Sequence, residues 1–233
     1  FYNMLRSSDN MPKTSQCTYI QFFEVFKKYL DDGKDILYIG GSSAASGTLQ
    51  SAIMAKNDLK GNIYIVDTQS LSIGSGCFLL SAAEMISNNQ SIEKIINHLE
   101  KLKSNIKVFF TVDTLDYLQK GGRISLAKAT IGNMLNIKPI LSIEDGLVKP
   151  IGQVRGKKQV VNKVLLFIKE CFGDDLSNKR IIITCGDNFG ELKSFKEKIE
   201  EEFKIKEILS VNVSSCICAH TGPGIIGIAC CEK

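Results

Sequence analysis

The first half of the chain alternates two hydrophobic periods. Tyr19, Phe22, Phe23, Phe26, Tyr29 and Leu30 recur at helical spacing, predicting an amphipathic helix over 17–31 that Asp31-Asp32-Gly33 closes. The short apolar run Asp35 to Ile39 then breaks into the small-residue loop Gly40 to Thr48 and a helical stretch reaching Lys56. A second run, Ile63 to Asp67, leads through Thr68-Gln69-Ser70 into a helix over 72–88, and Ile92, Ile95, Ile96, Leu99 and Leu102 mark another over 91–103. Strands separated by helices in this way predict a parallel α/β layer.

Beyond Ile106 the order of elements changes. Val108 to Val112 predicts a strand, Thr114 to Lys120 a short helix stopped by Gly121-Gly122, and Ser125 to Asn136 a further helix with Ser125 as its N-cap. Pro139 to Ile143 and Leu147 to Val154 flank Glu144-Asp145-Gly146, a hairpin signal that predicts an antiparallel pair. A helix at 157–171, a strand at 180–185, a helix at 190–203, a strand at 207–213, a loop at 220–224 and the apolar run Ile225 to Cys231 complete the pattern. The expected fold class is α/β with two domains: a parallel α/β/α first domain over 1–104 and a second α/β domain with a mixed sheet over 105–233.

Composition narrows the functional classes. The 233 residues are 44% hydrophobic and 23% charged, values of an ordinary globular chain. The net charge of +4 comes from 29 basic and 25 acidic side chains spread along the sequence, which argues against a nucleic-acid track. No apolar run approaches the roughly 18 residues of a membrane span, and no charged-then-apolar signal opens the chain, so the expected location is cytoplasmic. Most of the eight cysteines sit in strand-like apolar runs, which favours reduced core thiols over disulfides. Cys216, Cys218, Cys230 and Cys231 lack a CxxC knuckle, which argues against a metal site if these segments are strands.

Candidate chemistry gathers at several places. Thr14-Ser15 precedes the first long helix, and Ser42, Ser43, Ser46 and Thr48 with Gly47 precede the next, where unpaired N–H groups and the helix dipole favour a carboxylate or phosphate. Simple capping accounts for Thr14-Ser15, but the loop 42–48 holds more hydroxyls than one cap needs. It is neither a Walker loop nor a dinucleotide fingerprint. His220, in His-Thr-Gly-Pro-Gly, fits two roles: a turn residue, or a donor to an anion. His98 reads as a boundary side chain among charged helix neighbours. Arg123 follows Gly121-Gly122 and either closes a helix end or reaches an anionic ligand or partner; Arg155-Gly156-Lys157-Lys158 is a modest basic patch at a helix start. No nucleophile elbow, paired carboxylates or nucleotide motif appears.

Taken in order, Thr14-Ser15-Gln16, the Ser42 to Thr48 loop with Gln50-Ser51-Ala52, Val66-Asp67-Thr68, Asp113-Thr114-Leu115 through Lys120-Gly121-Gly122-Arg123-Ile124-Ser125, Asn136 to Leu141, Val154-Arg155-Gly156 and His220-Thr221-Gly222-Pro223-Gly224 resemble the DegV family. The resemblance runs across nearly the whole chain. It implies a non-catalytic bacterial protein that holds a long-chain fatty acid, palmitate- or oleate-like, in an interdomain tunnel. FakB-type members present the carboxylate to a partner fatty acid kinase, which makes an acyl phosphate for phospholipid synthesis, and carry no cofactor of their own. Carried over by position, the carboxylate contacts fall on Thr14 and Ser46, with Ser15, Ser43, Gly47 and His220 beside them, and head-group or partner contacts on Arg123 and Arg155. The chain departs from the family at Ala45, where Leu is usual, and at the flexible lead-in Gly40-Gly41. It also lacks the family's N-terminal strand segment, so the first domain is expected to be incomplete.

Two other classes remain. A small-molecule kinase would hold a phosphate at loop 40–48, and a DNA-associated regulator would rest on the sequence pI of 8.5 and the 155–158 patch.

Overall fold

The computed structural model describes residues 1–7, 11–124 and 136–233. They form two compact units. The larger comprises 1–14, 105–144 and 148–233, and the smaller comprises 15–104 with 145–147. The division near 105 lies where the sequence pattern changes, but the first fourteen residues belong with the second half of the chain. The reason is specific: in α1 (Tyr2–Ser7) the Tyr2 hydroxyl donates to the Val213 carbonyl at 2.9 Å, and Arg6 pairs with Asp187 at 2.5 Å.

In the smaller unit, α2 (Tyr19–Asp31) starts at Thr18, whose hydroxyl accepts from the Gln21 amide while the Gln21 side chain accepts from the Thr18 amide. This reciprocal cap satisfies two donors the helix leaves unpaired. Strands β1 (Ile36–Gly40) and β2 (Ile63–Asp67) pair in parallel with Ile36 opposite Ile63 and Gly40 opposite Asp67. The helix α3 (Thr48–Asn57) connects them, as a parallel pair requires. Phe26 of α2, Ala52 and Ala55 of α3 and Ile63 form a buried cluster, with Phe22 edge-on to Tyr38 at 5.0 Å. Helix α4 (Ile73–Ser87) packs on β1, and α5 (Ile92–Asn105) buries Ile95, Leu99 and Leu102.

The larger unit has one six-stranded mixed sheet in the order β5-β4-β3-β8-β6-β7. Its strands are β3 (Lys107–Thr111), β4 (Ile137–Glu144), β5 (Leu147–Arg155), β6 (Lys179–Cys185), β7 (Leu209–Asn212) and β8 (Ile226–Glu232). Strand β3 runs antiparallel to β4 and β8, β6 runs antiparallel to β8, and β6 and β7 are parallel. Strands β4 and β5 meet at Asp145-Gly146, both with positive φ, the geometry of a tight hairpin turn. Helices α7 (Lys157–Phe172) and α8 (Phe189–Glu202) cover one sheet face, where Ile168, Ile183, Ile199 and Ile228 are fully buried. Alternation sets these apart from Val108, Phe110, Ile182 and Ala229 on the other face.

Two short helices shape the region of the Gly-rich motifs: α6 (Asp116–Lys120) and α9 (Ser215–Thr221). The second corrects the sequence reading, in which His220 opened a loop. The Ser214 hydroxyl accepts from the Ile217 amide, starting a helix whose last turn carries His220. Cys216 and Cys218 are therefore helical, not on a strand, and the preceding strand shrinks to Leu209–Asn212. The helix expected over 125–136 falls, apart from Asn136, outside the described residues. None of the eight cysteines forms a disulfide, and Cys77, Cys185, Cys218, Cys230 and Cys231 are buried.

Candidate functional site

The larger unit brings Thr14 and His220 together although 206 positions separate them. The Thr14 hydroxyl lies 2.7 Å from His220 Nε2. Helix α9 delivers the imidazole and the segment after α1 delivers the threonine. Gly121 makes room for the ring, because a Cβ there would overlap His220 Nδ1. Arg123 folds back so that its guanidinium donates to the Gly121 carbonyl at 2.6 Å. These residues line a cleft of about 590 Å³ whose wall also carries Lys13 and Lys120 and, among the described residues, includes no acidic side chain. Three cations and no carboxylate make it a place of positive potential.

His220 is nevertheless held neutral. Burial, and then the Arg123 charge, push its pKa below the ordinary value of 6.5. Its Nδ1 is buried with no hydrogen-bond partner among the described residues. The cleft therefore combines one guanidinium, two ammonium groups and neutral donors. A carboxylate entering it meets a field that favours its charge and hydroxyl and imidazole groups that hydrogen-bond without protonating it.

In the smaller unit the loop 42–48 is wired by its own hydroxyls. The Ser42 amide donates to the Ser70 carbonyl at 2.8 Å, and the Ala45 and Ser46 amides donate to the Ser42 carbonyl at 3.2 and 3.1 Å. Ser43 donates its hydroxyl to Asp67 at 2.5 Å, and its amide reaches the same carboxylate at 3.4 Å. The Ser46 oxygen accepts from the Thr48 amide at 3.3 Å and its hydroxyl donates to Thr48 Oγ1 at 3.1 Å, one residue before Gly47, the N-cap of α3. Gly47 admits the Gln16 side chain, which a Cβ would overlap; Gln16 donates to Ser51 at 3.2 Å, and the Cys17 amide donates to Thr48 at 3.2 Å. Ser15 is exposed at the head of this strip. Gly146 backs onto the loop, since a Cβ there would overlap the Ser42 hydroxyl.

Thr14, His220 and Arg123 thus share one cleft, whereas Ser43, Ser46 and Gly47 share one loop of the other unit. Arg155 is exposed at the end of β5, and His98 is half-buried on α5. Sequence reasoning passed over Asp67, seen only as a strand end, whose carboxylate braces Ser43 and the Gln69 amide. That carboxylate also opposes a phosphate at this loop. Lys13 was passed over too; its only signal was adjacency to Thr14. Among the described residues no three His, Cys, Asp or Glu side chains are grouped to hold a metal ion, and no helix is long and apolar enough to cross a membrane.

A family model described as "Uncharacterised protein, DegV family" matches residues 1–233. The chain belongs to the DegV family. A DegV domain-containing protein of Clostridium perfringens is 34% identical, over 98% of this chain and 80% of that protein. Among solved structures, a DegV lipid-binding protein from Thermotoga maritima superposes with a TM-score of 0.91 at 29% identity, over 99% of this chain and 81% of that one. A DegV family protein from Thermus thermophilus, described by its fatty acid binding, gives 0.89 at 31% identity, over 100% and 83%. The mixed α/β architecture described above is thus the DegV fold.

Proposed function

We propose that this DegV protein binds a long-chain fatty acid through its carboxylate, catalyses no reaction on it, and presents the carboxylate to a partner fatty acid kinase that forms the acyl phosphate. The observation that carries the reading is the Thr14–His220 pair in a cleft lined by Lys13, Lys120 and Arg123, with no acid among the described lining residues. Fatty acid binding described for the Thermus relative supports it. In this reading Thr14 and His220 hydrogen-bond the carboxylate and Arg123 supplies the opposing charge. The surrounding positive charge of Lys13, Lys120 and Arg123 keeps the carboxylate anionic, the form that is nucleophilic toward a phosphoryl donor. Ser46, with Ser15, Ser43 and Gly47, is a further set of carboxylate-binding candidates; Ser43 holds the loop on Asp67. Arg155 is assigned to the kinase-facing surface, and the chain to the cytoplasm, where a phosphoryl donor is available. The tail adds affinity of about 0.8 kcal/mol per buried methylene.

Native mass spectrometry of the protein purified from a bacterial host tests this. A co-purifying fatty acid is expected, with reloading by palmitate or oleate after delipidation. Thr14→Ala, Ser46→Ala and His220→Ala should each speed loss of the ligand, and His220→Ala should in addition impair phosphorylation by the kinase. Absence of lipid together with failure to take up either acid overturns the proposal.

A further inference from the structure

The larger unit holds a second cavity, of about 360 Å³, where the first turns of α7 and α8 approach the ends of β3 and β8. Its wall is apolar: Phe109, Val112, Val160, Val161, Phe195 and Ile226. Phe109, Val160 and Phe195 belong to the buried cluster beneath the helices, so the cavity is an unfilled end of the core. A recess with an apolar wall that opens at a polar rim accepts the apolar body of a small ligand. The volume is at the lower end of the roughly 300–1,000 Å³ range of small-molecule pockets.

The rim is charged. Asp113 accepts from Lys138 at 3.1 Å and faces Lys157 at 3.2 Å, and Lys157 pairs with Glu191 at 2.9 Å. Two carboxylates are thereby matched by two ammonium groups. Lys158, also on the rim, has no acidic partner among the described residues. Neither α7 nor α8, 16 and 14 residues long, has a side-chain cap, so both helix dipoles add positive potential at the same mouth. An apolar pocket with one surplus positive charge at its mouth complements one kind of small molecule.

We propose that this cavity is a second ligand site, taking a small amphipathic monocarboxylate whose apolar or aromatic body fills the space between α7, α8 and the sheet while its carboxylate meets Lys158. A cation would find both rim carboxylates already engaged, and a dianion would exceed the unmatched charge. The inference is independent of the fatty acid reading, since it uses none of Thr14, His220, Arg123 or the 42–48 loop.

The test uses 4-(trifluoromethyl)benzoate as probe, followed by ¹⁹F NMR on the whole protein with and without saturating palmitate. Binding is expected in both states. Val161→Trp, which fills the cavity from α7, should weaken it by more than about tenfold, a change of about 1.4 kcal/mol. Ser194→Trp fills the same space from an exposed position on α8 and serves if Val161→Trp does not fold. Lys158→Gln should weaken binding by about two- to fivefold, the scale of an exposed ion pair. Palmitate retention should be unchanged in all three variants. No binding up to millimolar probe, binding indifferent to a folded cavity-filling variant, competition by palmitate, or equal affinity for 4-(trifluoromethyl)benzyl alcohol would each overturn the proposal.

Discussion

Gly121→Ala separates the steric role of the Gly121-Gly122 pair from its backbone role. At Gly121 φ is −75° and ψ is −10°, a conformation any residue adopts. By backbone entropy alone, alanine there would stabilise the fold by about 0.4–1 kcal/mol. The surroundings reverse the sign. The added Cβ would overlap His220 Nδ1 and lie 2.9 Å from the Tyr117 carbonyl oxygen, closer than real Cβ atoms approach. Overpacking of this kind costs about 1–3 kcal/mol. Turning the imidazole away also loses its 2.7 Å bond to Thr14, about 0.5–1.5 kcal/mol. The net expectation is a destabilisation of about 1–4 kcal/mol, or about 2–4 °C in Tm per kcal/mol. Gly122→Ala is the control: its φ is +70° with nothing within 4 Å, so alanine costs about 1–2 kcal/mol of left-handed strain and leaves His220 alone. Stability alone therefore does not distinguish the two, and the imidazole does. An NMR titration of the His220 ring should show its pKa rising toward 6.5 in Gly121→Ala as the ring leaves its buried place, and staying low in Gly122→Ala. Palmitate retention should follow the same division. A Gly121→Ala protein with the native His220 titration and native retention would refute the steric account of the cleft.

Arg123→Gln should also raise the His220 pKa, because it removes a positive charge that disfavours the imidazolium. The folded protein with a depressed His220 pKa binds fewer protons than the unfolded chain, so stability should fall as pH drops below about 6.5, and less so in Arg123→Gln; urea unfolding at pH 5 and pH 7 checks the sign. Thiol labelling of the native protein should proceed quickly at Cys17, Cys171 and Cys216 and slowly at the five buried cysteines, with the Cys218 thiol pushed up to about 11 by burial. Mass-mapped modification of Cys218 at the rate of Cys216 would contradict that burial. Thr68→Val should cost about 1–3 kcal/mol in urea unfolding, because the buried hydroxyl donates to the Gly40 carbonyl at 2.9 Å and accepts from the Ser70 amide at 3.3 Å. A value near zero would show that the loop 42–48 does not depend on this strut.

Local pattern was sufficient wherever a segment's partner is water on one side and the core on the other. The stripe from Tyr19 to Leu30 was legible for that reason; β6 and β8, buried on both faces, showed as apolar runs, the Asp145-Gly146 turn by its residue types, and the ordered motifs were enough to suggest the DegV family. Helix α9 was not, since Ser215 to Thr221 is seven residues of mixed polarity, too short for a period to emerge, and its start depends on one capping hydroxyl at Ser214. Nor did the sequence reveal that residues 1–14 join the second half of the chain, because the Tyr2–Val213 and Arg6–Asp187 contacts span 211 and 181 positions. The candidate site divides the same way. Motif spacing marked Thr14, His220 and Arg123 as separate points, each with an ordinary local role available. Only tertiary structure put Thr14 against His220, spaced the ring by Gly121, and gathered Lys13, Lys120 and Arg123 around both. Backbone geometry and amphipathic burial are properties of neighbours along the chain, whereas a hydrogen bond across 206 residues and the electrostatic field of a cleft exist only once the chain has folded.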